Sequence, residues 1–207
     1  MVQGLGLGLG LGQPRRRFFA AAAAVFDPEA GLTLTETVTQ GALDPQLDPH
    51  IAKPMVFAAD VVFPTGPAQG VLFEHGGGGI GLIVTLRAGG GVLRVRAGDG
   101  ASNPNMAMTA ILDVTDFPTD GLEHTLVWDV RPQAPGRVRL WIDGDYKGAA
   151  ETSSGGVLEG TKWSGGGTGG FATGHNANVN GEVQKTAWPA TVNGGLRLYV
   201  NQQVVTD

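Results

Sequence analysis

Two stretches of this chain alternate apolar side chains so regularly that extended structure is the main fold open to them. Leu126, Trp128 and Val130 fall on one face of a strand, and Val138, Leu140 and Ile142 on one face of the next. Arg131-Pro132-Gln133-Ala134-Pro135-Gly136 separates the two, and Asp143-Gly144 leads into a further short strand through a hairpin turn. Near the end, Leu196, Leu198 and Val200 repeat the pattern within Gly195–Val204. These faces are the expected core, and the bulk of Trp128 suits the space between two sheets. Trp141 and Tyr199 lie on the opposite register, where they would line a second face or a subunit contact.

The same style runs back to Ile51. Met55–Phe63 is followed by Pro64-Thr65-Gly66-Pro67. Gly70–His75 and Ile80–Arg87 flank Gly76-Gly77-Gly78-Gly79, and Val92–Ala97 follows Gly89-Gly90-Gly91. Glycine occurs 35 times and proline 12 times, while charged residues make up only 16% of the chain, a composition for tight turns rather than long surface helices. The predicted fold is all-β, a two-sheet antiparallel jelly-roll sandwich over residues 51–207 with an extended N-terminal arm and linker over residues 1–50.

The arm has a different character. Gly4–Gly12 reads GLGLGLGLG, so an extended backbone puts Leu5, Leu7, Leu9 and Leu11 on one side and bare glycine on the other. Such a segment cannot order itself, because the glycines lose much entropy and the leucines alone make no core. It is either a flexible low-complexity tail or a docking element whose leucines fill pockets on a partner. Docking is the expectation taken. Arg15, Arg16, Arg17, Phe18 and Phe19 continue it and have the outline of a secretory or twin-arginine signal, but retention rather than cleavage is expected. Ala20–Val25 favours a short helix that Asp27-Pro28 would end. Leu32–Val38 is β-prone and reads as a strand or hinge, and Asp44-Pro45 and Asp48-Pro49 punctuate the linker.

Charge separates the two parts. The chain carries −5 overall, but residues 1–26 carry +3, which leaves −8 on the other 181 residues. An acidic body argues against nucleic acid as a partner. No apolar run approaches the ~20 residues that span a bilayer, so membrane insertion is not expected. The absence of cysteine removes disulfides, thiolate metal sites and a cysteine nucleophile together.

Leu122–Val130, a short loop and Gly136–Gly144 resemble the paired central strands of concanavalin A-like (laminin G-like) jelly rolls, and Gly70–Ala97 resembles the meander before them. The resemblance implies two curved antiparallel sheets with a glycan or partner site on a concave face or rim. Glycosidases on that fold carry Glu-x-Asp-x-Glu on one strand, and this chain has no such run. Asp113-Val114-Thr115-Asp116 has the wrong spacing for one face, so an enzyme is not expected. The Gly-Leu arm, together with the glycine-rich stretch from Trp163 to His175, is similar to accessory virion proteins of tailed phages.

The residues offer candidates for a sugar site and for a metal site. Trp163, Phe171, His175, Asn176 and Asn178 combine aromatic platforms with amides in a probable loop, the residue types that hold sugars. Against this, Trp163 and Phe171 could simply pack beneath their loop. Asp143 and Asp145 could bind calcium with Asp99 or Asn103, although Asp143-Gly144 also serves ordinary turn geometry. His50, His75, His124 and His175 lack metal-ligand spacing, and no cofactor is expected. The resulting expectation is a non-enzymatic accessory protein on a virion surface. Its arm would dock to other capsid or tail proteins, its body would face outward toward host-surface glycans, and cyclic self-association would match the symmetry of the particle. A secreted or cell-surface lectin is the alternative.

Overall fold

Along Met55–Val62 the side chains of Met55, Phe57, Ala59 and Val61 share one side and are fully buried, as the pleat of an extended chain demands. The computed structural model describes residues 32–34, 54–76, 80–87, 91–99, 108–158, 170–171 and 188–200. These form strands β1 (Leu32–Leu34), β2 (Met55–Val62), β3 (Gly70–Gly76), β4 (Ile80–Arg87), β5 (Val92–Asp99) and β6 (Thr109–Val114). They continue with β7 (Glu123–Arg131), β8 (Arg137–Ile142), β9 (Asp145–Glu151), β10 (Gly170–Phe171) and β11 (Val192–Val200). No α-helix occurs among the described residues, and none is long and apolar enough to cross a membrane.

The strands make two antiparallel sheets, one ordered β1-β11-β2-β7-β8-β9 and the other β10-β3-β4-β5-β6. This is a jelly-roll sandwich. The faces marked by alternation meet inside: Leu126, Trp128, Val130, Val138, Leu140, Ile142, Leu196 and Leu198 join Phe57, Phe73, Leu82, Val84, Val95 and Leu112 in one core. Phe57 stacks on Trp128 with centroids 5.3 Å apart and planes 3° apart, and Phe73 from the facing sheet lies 5.1 Å from Phe57.

The structure adds details that the alternation did not disclose. β6 is a strand not expected from the sequence, and it places Asp113 opposite Arg94 of β5. β1 pairs with β11 through Leu32 and Leu198, so part of the N-terminal linker is an edge strand of the body. Trp141 and Tyr199 do lie on a second face, the outer side of the six-stranded sheet, and are buried there with Val56, Ala58 and Val127. On that face the Asp129–Arg139 ion pair is also buried, and the Arg139 guanidinium lies 4.8 Å from the Trp141 ring centroid. Burial ends at the far edge, where Tyr146 of β9 is 55% exposed. The expected helix over 20–25 and the arm before it lie outside the described residues.

Replacing Trp128 by alanine should cost about 3–5 kcal/mol of unfolding free energy, whereas Tyr146→Ala should stay within roughly 0.5 kcal/mol. Urea titration of the two variants measures both.

Candidate functional site

One end of the sandwich gathers the turn after β2, the β4–β5 turn, the β6–β7 connection and the β8–β9 turn. Pairing fixes this, since Val62 lies opposite Glu123, Arg87 opposite Val92, Leu93 opposite Val114, and Leu126 opposite Ile142. Between the loops lies a half-open cavity of about 340 Å³ lined by Pro64, Thr65, Gly66, Pro67, Ala68, Leu86, Gly91, Phe117 and Thr119. Its floor reaches the core through Leu86, which is 2% exposed.

Local chemistry explains why these loops meet. Phe63 is fully buried and touches three other rings: Phe117 at 5.4 Å, His124 at 5.9 Å and Trp188 at 5.8 Å. Trp188 in turn donates its indole N–H to the Val62 carbonyl at 3.0 Å. Gly121 has φ of 77°, and a Cβ there would stand 2.8 Å from Thr65 Cγ2. Only glycine lets the 119–122 backbone approach the Thr65 loop so closely. The cavity walls are therefore held by packing beneath and a glycine contact above.

A charged cluster fastens the next loop. His124 Nδ1 lies 2.5 Å from Asp143 Oδ2, and its Nε2 lies 3.1 Å from Asp120 Oδ1. Asp143 also accepts the Thr125 N–H at 2.9 Å, while Asp120 accepts the Leu122 N–H at 2.9 Å. Burial disfavours the charged imidazole, but the hydrogen bonds with Asp143 and Asp120 outweigh it and raise the His124 pKa above its ordinary value. The Leu122 N–H and then His124 hold Asp120 below the usual carboxylate range. Asp143 and Gly144 both have positive φ, 53° and 90°, the conformation of a tight hairpin turn.

The structure separates the residues singled out in the sequence. Asp143 spends its carboxylate on His124 and Thr125 in the turn before Asp145, and Asp99 ends β5 in the other sheet. Among the described residues, no group of three or more acidic or histidine side chains is arranged to hold a metal ion. Phe171 is placed by its backbone at the β3 edge, opposite Phe73. Trp163, His175, Asn176, Asn178 and Asn103, and the arm residues Leu5 to Phe19, lie outside the described residues. Sequence reasoning missed the cavity, because its walls come from loops far apart in the chain.

Other carboxylates are also committed. Asp113 meets Arg94 bidentately at 2.5 and 2.6 Å, and this pairing lowers its pKa. Asp60 pairs with Arg197 at 3.2 Å and accepts the Thr125 hydroxyl at 2.7 Å, and Asp116 pairs with Lys147 at 3.0 Å. Glu123 accepts a bond from Asn193.

No protein-family model matches the chain, and no curated protein matches it. Among solved structures, domains LG4-5 of the mouse laminin alpha1 chain align with a TM-score of 0.52 and 12% identity, over 84% of this chain and 45% of that one. The Ruminococcus gnavus IT-sialidase CBM40 bound to alpha2,6 sialyllactose aligns with a TM-score of 0.49 and 12% identity, over 86% of this chain and 92% of that one. A heptameric SAP-like pentraxin from Limulus polyphemus gives 0.43 and 13%, over 84% and 70%. The laminin likeness shows the fold: the body is a laminin G-like, concanavalin A-like jelly roll.

Because His124 binds its proton more tightly folded than unfolded, it contributes stability that is full below about pH 6.5. That contribution is lost as pH rises through the raised folded pKa. Urea midpoints should fall between mildly acidic and mildly alkaline pH, and His124→Gln should flatten that slope. An equal slope in the variant would refute the assignment.

Proposed function

We propose that this chain is a non-enzymatic binding module that seats one sugar unit of a glycan in the cavity at the loop end of the sandwich. The observation that carries this reading is the cavity itself. It presents Phe117 and two prolines as apolar walls, with the exposed residues Thr65 and Thr119 also in its lining. Sugar rings need this combination, since their C–H faces pack on flat apolar surfaces while their hydroxyls require polar partners. A volume of about 340 Å³ stands at the low end of small-ligand sites, which fits a single ring rather than an extended chain. The commitment of Asp60, Asp113, Asp116, Asp120, Asp129 and Asp143 to ion pairs or hydrogen bonds favours binding over acid–base chemistry.

A second element of the proposal concerns the arm. β1 runs parallel to β2 and begins at Leu32, level with Phe57 through Leu198, so the chain enters it about five residues (roughly 17 Å) from the Val62 end. A segment of charge +3 over residues 1–26, with leucines alternating with glycines, suits docking to a particle. On this reading the protein is an accessory component of a virion surface, such as a capsid decoration, head fibre or tail protein, self-associated in a ring. The secreted or cell-surface lectin is the competing reading and differs by lacking a docked arm.

Glycan-array screening of the full chain, followed by titration, tests the first element. Phe117→Ala should weaken a bound glycan by about tenfold or more, because the apolar wall is lost. Binding unaltered in that variant places the sugar elsewhere. Deleting residues 1–26 should abolish co-purification with particles while leaving glycan binding intact. Retained particle association refutes arm docking.

A further inference from the structure

We infer that the cavity selects a neutral sugar carrying a methyl group, a deoxyhexose or an N-acetylated hexosamine, and excludes acidic sugars. This inference rests on the reading of the cavity as the glycan site and goes further, to what that site can distinguish.

The lining decides the class. None of the nine described residues around the cavity is ionisable, and among them the polar side chains are those of Thr65 and Thr119. A carboxylate seated among Pro64, Pro67, Ala68, Leu86 and Phe117 would lose water and gain no cation, which is strongly unfavourable. The nearest charges along the wall make this worse. Asp116 and Asp120 flank Phe117 and Thr119 in sequence, with side chains 93% and 47% exposed. Lys147 and His124 face those carboxylates and are already engaged with them. Arg87, next to Leu86, belongs to the opposite side of its strand, where its charge acts on Asp113. Residues 51–207 carry 14 Asp and Glu against 11 Lys and Arg, a net −3 that adds a weak repulsive field.

The apolar depth needs a counterpart. A plain hexose offers hydroxyls all round and would leave some of them against Leu86 and Ala68 without partners. A methyl group fills that depth, while the ring hydroxyls or an amide carbonyl meet Thr65 and Thr119 at the mouth. Discrimination of one methyl in a hydrophobic pocket is on the order of tenfold.

The test uses the full chain and free monosaccharides, with saturation-transfer NMR to show which protons touch protein and titration to rank affinities. L-fucose, L-rhamnose and N-acetylglucosamine are compared with galactose and glucose, and with glucuronic acid and N-acetylneuraminic acid. The expected result is strongest saturation on the methyl protons, binding at least about tenfold weaker for the plain hexoses, and none for the acids. Two variants locate the site without disturbing the core. Gly66→Trp blocks the mouth, since a Cβ at Gly66 meets nothing within 4 Å. Thr119→Arg, at an exposed position, supplies the missing cation and should admit glucuronic acid. Equal binding of plain and methyl-bearing sugars, or binding of the acids to the unaltered chain that Gly66→Trp abolishes, overturns the selectivity and leaves the glycan site standing. Sugar binding that Gly66→Trp does not alter, or no sugar binding at all, overturns the glycan reading of this cavity and the inference with it.

Discussion

Phe57 of one sheet lies flat on its neighbour Trp128, and Phe73 reaches the pair from the facing sheet. These rings set how closely the layers approach, and close packing in a protein interior leaves little slack for that distance to change. The position of every loop at the cavity end follows from it. Phe63 continues the same inward row beyond β2 and supports Phe117, His124 and Trp188. A cavity wall made of loops is thereby tied to the core, the arrangement that lets loops be both variable in sequence and fixed in place.

The outer faces use a second device. Each sheet carries an arginine–aspartate pair between neighbouring strands, Arg94 with Asp113 across β5 and β6, and Arg139 with Asp129 across β7 and β8. Forked pairing of this type is geometrically demanding. A one-residue slip of either strand would turn one partner to the opposite face and strand a charge. The buried Arg139–Asp129 pair need not add stability over an apolar pair, but it opposes misregistration strongly.

Alternation is local, which is why the core-bearing strands were legible in the sequence. Leu126-x-Trp128-x-Val130 and Val138-x-Leu140-x-Ile142 state their own faces. β6 was not legible, because Ala110, Ile111 and Leu112 form an unbroken apolar run in which Ile111 belongs to the outer side. The clue available was Asp113, whose charge needs an opposite partner such as Arg94. Trp141 and Tyr199 were correctly placed on a second face, but nothing in a one-dimensional pattern tells that such a face is buried. The cavity was illegible for a different reason. Pro64-Thr65-Gly66-Pro67 announces a turn, yet its meeting with Phe117 depends on Phe63 below and on the missing side chain of Gly121, both of them tertiary facts.

The two borders of the six-stranded sheet are guarded unequally. On the β9 side, Asp145, Lys147 and Glu151 supply charge, and Gly148, with φ of 142° at a register shift, breaks the ladder. On the β11 side, three residues of β1 cover the backbone between Leu196 and Leu198. A chain lacking Leu32–Leu34 would therefore leave unpaired amides and carbonyls along Leu196–Leu198, the kind of edge on which strands from other molecules add. Leu32–Leu34 thus guard this border against the addition of a strand from another molecule, and losing their pairing would open a place for another chain to join the sheet.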